Sequence, residues 1–198
     1  MDRGFGSVGE VIGWTRWTGG TTTTSNTLGN GTTTQDSNSG GGVSPNGGTA
    51  YVWGTRAINL PTSGTATYTL LGAAPVGTTD NQTPGSVDSG TVRVAFGSTT
   101  RVGVELGVRV AGNDYLVGSS GGIAAPSLVL DNATKEFSGV LGVTGGTVTT
   151  CTASTCAGRL DGFLAGNGAS HSGVAFTFPL APGRSASASG SAAFVKGP

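Results

Sequence analysis

Residues 101–110 read RVGVELGVRV, and no other stretch narrows the fold as much. Val102, Val104, Leu106, Val108 and Val110 fall on one side of an extended chain; Arg101, Gly103, Glu105, Gly107 and Arg109 fall on the other. A helix would scatter both sets around its axis. TVRVAF (91–96) repeats the pattern with Val92, Val94 and Phe96, and the turn GSTT (97–100) makes the two a hairpin. The same period runs through TATYTLL (65–71), EFSGVLGV (136–143), VAFTFPL (174–180) and SASASGSAAF (185–194). No segment shows a helical stripe, and with 38 glycines in 198 residues a long helix would be costly.

Several strands of this kind, spaced by Gly/Asn/Ser/Pro turns, predict an all-β protein. Glycine inside a strand weakens it but permits the coiling and corners of a barrel. The expected fold is therefore a small antiparallel β-barrel of about eight strands over 59–198, with an N-terminal β-hairpin-like extension over 1–58. In that extension GEVIGWTRWTGG (9–20) and AYVWGTRAI (50–58) read as two strands. They flank a low-complexity Thr/Asn/Gly excursion (21–48) with almost no apolar residues. Their aromatics are expected to cover one side of the barrel.

Charge removes several functions. Ten Lys+Arg balance ten Asp+Glu. Scattered basic residues make no phosphate-neutralising footprint, so nucleic acid is not an expected partner. They make no polybasic membrane patch either. No run of apolar residues is long enough for a transmembrane helix. The opening MDRGFGSVGE has no apolar signal-peptide core, so if the protein is exported the chain is expected to be a mature form or an excised domain.

Cys151 and Cys156, in TTCTASTCAG, are too far apart for a C-x-x-C motif and lack partners for zinc. Strand-like sequence on both sides places them across a hairpin loop, where a disulfide fits and would imply an oxidising compartment. Two free thiols in a cytosolic loop is the other reading. A ring this short contributes about 1–2 kcal/mol at most, so its use is to pin a turn.

Catalytic patterns are missing. His171 is the one histidine, in GFLAGNGASHSGVAFTF (162–178). Neighbouring residues of a strand point apart, so Ser170 and Ser172 make poor partners for it, and GASHSG is not a nucleophile elbow. It reads as a turn residue. GFGSVG (4–9) matches G-x-G-x-x-G but lacks a preceding strand and a following helix. Asp80, Asp88, Asp114, Asp131 and Asp161 are expected mostly at turns, and Glu105 as a surface partner of Arg101 and Arg109. DNATKE (131–136) is too sparse for a calcium loop. No catalytic residue, metal site or cofactor is expected.

The aromatic strands are the best candidate binding surface, because Trp and Tyr anchor interfaces disproportionately. The candidates are Trp14, Arg16, Trp17, Tyr51 and Trp53. Trp14 and Trp17, three apart on a strand, should face opposite ways, with Arg16 on the side of Trp14.

Three stretches carry a resemblance: LPTSGTATY (60–68), G-x-x-x-G-N-G-A-x-x-x-G-x-x-F (162–176) and GSAAF (190–194). With the GWTRWTGG and YVWGT segments before them, the pattern over roughly 9–196 resembles the C-terminal β-barrel region of bacterial FecR-domain proteins. It resembles more distantly the transferrin-binding-protein-B-like barrel of surface lipoproteins. The resemblance implies an exported Gram-negative barrel domain (periplasmic, at the outer membrane surface, or secreted). It implies a non-enzymatic role in binding or recognition and supplies no catalytic residues. The FecR domain itself is absent, and the excursion at 21–48 is longer than the pattern expects. The low charge and uniform Ser/Thr/Ala/Gly strands also allow a second role, a structural subunit that self-assembles into a surface fibre or layer through strand edges. The expected partner is thus a protein or a second copy of the chain.

Overall fold

The computed structural model describes residues 5–18, 23–27, 33–37, 46–80, 82–183 and 185–198. Most of the excursion expected at 21–48 lies outside these residues. The N-terminal strands are β1 (Phe5–Val8), β2 (Ile12–Trp17), β3 (Thr23–Thr27), β4 (Thr33–Ser37) and β5 (Thr49–Gly54). Next come β6 (Gly64–Ala73), β7 (Gly77–Thr78), β8 (Ser86–Phe96), β9 (Arg101–Val110), β10 (Asn113–Ser119) and β11 (Leu128–Val129). The chain ends with β12 (Glu136–Gly146), β13 (Ala157–Ala165), β14 (His171–Pro179) and β15 (Ser187–Lys196).

Strands β6, β8, β9, β10, β12, β13, β14 and β15 each pair antiparallel with the next, and β15 returns to β6. The result is a closed up-and-down barrel of eight strands. Closure removes the free edges that an open sheet would present. Expectation and structure agree here, with two additions. NDYLVGS, unread in the sequence, supplies β10. The N-terminal extension is a three-stranded sheet, β1-β2-β5, rather than a hairpin. Strands β3 and β4 form a separate two-stranded hairpin.

An eight-stranded barrel is just wide enough to be filled by side chains or to hold one small ligand. This one is filled. Tyr68, Val92, Val94, Val104, Leu106, Leu141, Leu160, Leu164, Val174, Phe178 and Phe194 have no exposed surface. Large rings sit opposite missing side chains. A Cβ on Gly190 would lie 2.6 Å from Phe176, one on Gly162 2.4 Å from Phe137, and one on Gly90 2.8 Å from Phe194. The intrastrand glycines expected to serve coiling are, at these positions, seats for phenylalanines. Outward positions such as Thr65, Thr67, Arg101, Arg109, Glu136, Ser138, Arg159 and Asp161 are polar and exposed. That polarity is the reverse of a membrane-spanning barrel, whose lipid-facing band is apolar. Among the described residues no helix is long and apolar enough to cross a membrane.

Two features close the barrel ends. At one, Tyr68 Oη donates to the Ala169 carbonyl at 2.8 Å, beneath the β13–β14 turn. Burial pushes this phenol's pKa well up, so it stays a donor. The segment 55–58 adds backbone bonds to the same turn, from Ala57 N to Leu164 O and from Gly168 N to Ile58 O. At the other end Cys151 and Cys156 form a disulfide in the β12–β13 loop, with Cys156 buried. Reduction, or Cys151→Ser with Cys156→Ser, is expected to lower unfolding free energy by about 1–2 kcal/mol in urea titrations. A loss above about 4 kcal/mol would mean the bond holds the barrel itself rather than one turn.

Candidate functional site

The three-stranded sheet lies on the outside of the barrel against β14, β15 and β6. Its pairing register decides what each side chain can do. Trp53 is opposite Gly13, Val52 opposite Trp14, Tyr51 opposite Thr15, Ala50 opposite Arg16, and Thr49 opposite Trp17. Alternation then sends Ile12, Trp14, Arg16, Ala50 and Val52 toward the barrel and Gly13, Thr15, Trp17, Thr49, Tyr51 and Trp53 away from it.

The inner face is glue. The Trp14 indole lies across the barrel wall, where a Cβ on Gly72 would come within 2.2 Å of it, and it covers Gly6 in the same way. Arg16 is 1% exposed and its Nη1 donates to the carbonyls of Asn46 and Gly47. Below Tyr51, Ser191 Oγ donates to its carbonyl at 2.9 Å, tying β5 to β15. Two of the five sequence candidates, Trp14 and Arg16, therefore lie on the side of the sheet that packs on the barrel. The expectation that the N-terminal aromatics cover the barrel holds for Trp14 and not for Trp17 or Trp53.

The outer face holds the other three. Trp17 is 56% exposed, Tyr51 47% and Trp53 51%. Large exposed aromatics side by side on one sheet face are unusual for a surface this poor in reasons to keep them. The Trp53 indole covers Gly13, where a Cβ would lie 2.4 Å from Cζ2 and 2.6 Å from Cε2. Thr15 beside Tyr51 is nearly buried.

Other candidates are locally satisfied. His171 opens β14, and Ser170 Oγ and His171 Nδ1 are 2.9 Å apart, so the flanking serine, expected to be a poor partner, is bonded to it. A turn, unlike a regular strand, lets adjacent side chains meet. Among the described residues no carboxylate pairs with His171 to complete a triad. Burial pushes its pKa below the ordinary value. The folded state then binds fewer protons than the unfolded one, so stability falls as pH drops below about 6.5 and levels off beneath the folded pKa. Urea unfolding at pH 7.5 and 5.5 should show this slope, and His171→Gln should flatten it. Greater stability at pH 5.5 would contradict the burial of the ring.

The carboxylates depart from the turn expectation. Asp161 is within β13 and takes two hydrogen bonds from Arg159, at 2.7 and 2.9 Å. Asp114 and Asp88 are strand residues flanking Arg109. Glu105 pairs with neither arginine; its Oε1 accepts the Ile123 N–H and holds the loop after β10. Asp131 does cap a turn, accepting the N–H groups of Ala133 and Thr134, which hold its carboxyl below its usual range. Among the described residues no His/Cys/Asp/Glu group has the geometry for a metal. Open clefts occur on the outer wall, one bordered by Asp131, Glu136, Arg159 and Asp161, another by Glu105, Gly122, Val140 and Thr144.

Fold and site together define a class: a filled, closed eight-stranded barrel with an aromatic-faced three-stranded sheet mounted on its wall. No family model matches the chain, and no curated protein matches its sequence.

Proposed function

We propose that this chain is a non-enzymatic, exported binding domain of the Gram-negative cell envelope. The barrel is its scaffold and the outer face of β1-β2-β5 is its recognition surface. The observation that carries this reading is the register that sets Trp17, Tyr51 and Trp53 on one exposed face while the barrel interior is full. A filled interior leaves recognition to the outside. The motif resemblance points to the envelope, and the disulfide favours an oxidising compartment.

The second role, self-assembly into a fibre or layer, has less to work with. The eight barrel strands close on one another, so a growing sheet would have to start from β1, β5 or the β3–β4 hairpin.

The test is binding of fluorescently labelled protein to intact Gram-negative cells and to their isolated envelopes. The wild type should bind saturably. Trp17→Ala with Tyr51→Ala and Trp53→Ala should bind at least tenfold more weakly while keeping its barrel unfolding transition. Equal binding by the two proteins, or none by either, rejects the reading. Concentration-dependent growth in light scattering without envelope binding would favour the assembly role.

A further inference from the structure

We infer that the ligand of this outer face is an uncharged, linear polysaccharide chain, an inference that rests on the recognition surface just proposed. Four observations select it.

The first is spacing. Trp53 stands level with Gly13, Tyr51 with Thr15, and Trp17 with Thr49. Each level is two residues from the next, about 6.6 Å along the strands. The three rings form an even row, two on β5 and the last stepping across to β2. A row of equivalent contacts suits a polymer of equivalent units better than a compact molecule.

The second is ring presentation. The Trp53 indole covers Gly13 with its Cε2–Cζ2 edge and keeps about half of its surface exposed, 51%. A sugar ring has one apolar C–H face and a rim of hydroxyls. The electron-rich face of an indole or phenol attracts polarised C–H groups. The Tyr51 hydroxyl, the indole N–H groups and the hydroxyl of Thr49 are the polar partners such a rim needs.

The third is charge. By register the described residues of this face are Phe5, Ser7, Gly13, Thr15, Trp17, Thr49, Tyr51 and Trp53, with no Lys, Arg, Asp or Glu among them. Arg16, the nearest cation in sequence, is buried on the opposite face. An anionic polymer would meet no cation among the described residues of these strands' outer face, and single-stranded nucleic acid needs a basic groove beside its stacking rings.

The fourth is area. Three strands about 4.8 Å apart, two of six residues and one of four, span at most roughly 15 by 20 Å, on the order of 300 Å². A stable protein partner, or a second copy of the chain, covers about 800 Å² on each side. The face is large enough for a few sugar rings and too small for either of those.

Affinity electrophoresis tests this with the full chain in native gels containing hydroxyethylcellulose, glucomannan, laminarin or pullulan, all uncharged, against alginate as the anionic control. Retardation is expected in at least one neutral gel and not in alginate. Each of Trp17→Ala, Tyr51→Ala and Trp53→Ala should weaken it on the order of tenfold, whereas Trp17→Phe and Trp53→Phe should retain most of it and control for folding. Migration unchanged in all four neutral gels overturns the inference. So does retardation in alginate alone, or retardation that survives the three alanine changes. If envelope binding by the wild type persists while every neutral gel fails, the recognition surface stands and only the ligand class falls. If both fail, the surface itself is wrong.

Discussion

Phe178→Ala will lower unfolding free energy by about 3–5 kcal/mol, in a protein whose total stability is expected at about 5–15 kcal/mol. The ring is fully buried, its centroid 5.3 Å from that of Tyr115 and 6.2 Å from that of Phe176. Tyr115 is itself fixed, donating from its hydroxyl to the Leu180 carbonyl at 3.1 Å. Removing the ring therefore leaves a void whose walls are hydrogen-bonded strands and cannot collapse. The cavity cost then adds to the lost transfer energy. Phe178→Leu fills most of the space and should cost less than half as much. The measurement is the urea midpoint at constant m-value, and a midpoint unmoved by Phe178→Ala would mean the barrel interior is not packed.

Gly158→Val will be as damaging for the opposite reason. A Cβ at Gly158 would lie 1.9 Å from the carbonyl oxygen of Thr177 and 2.7 Å from the Phe178 Cα. Both obstacles are backbone, so no rotamer change relieves the collision. Either the β13–β14 seam opens at this end or the valine is held in a strained position, a loss of about 3 kcal/mol or more. Gly97→Ala is the control: nothing but the Thr99 carbonyl lies within 4 Å of its Cβ, at 4.0 Å, and its effect should stay within about 0.5 kcal/mol. If the two substitutions cost the same, the close approach of β13 to β14 is not as described.

Much of this architecture is legible in the sequence because alternation is a local signal. RVGVELGVRV names its own inner face, and Val102, Val104, Leu106, Val108 and Val110 are all buried. Parity also separates Trp14 from Trp17 correctly. The failures come where the decisive contact is distant in sequence. NDYLVGS carries a weak alternation signal, because its inward set, Tyr115, Val117 and Ser119, includes a serine, whose hydroxyl accepts the Val104 N–H inside the wall. Glu105 shares a face with Arg101 and Arg109, four residues away on its own strand, but at about 3.3 Å per residue both are out of reach. Its real partner arrives on a returning loop. The outer aromatic face needed the register of β2 against β5: without knowing that Trp53 faces Gly13, three aromatics on two segments are neither a row nor a surface.

Acrylamide quenching of indole emission tests the central claim most directly, because only two of the three tryptophans stand on the outer face. Free protein carrying Trp14→Phe emits from Trp17 and Trp53 alone and should be quenched readily. With isolated Gram-negative envelopes added to saturation, quenching should fall severalfold, while emission from Trp14 in a Trp17→Phe, Trp53→Phe protein should be little changed. Quenching of Trp17 and Trp53 that is the same with and without bound envelope would contradict recognition through this face.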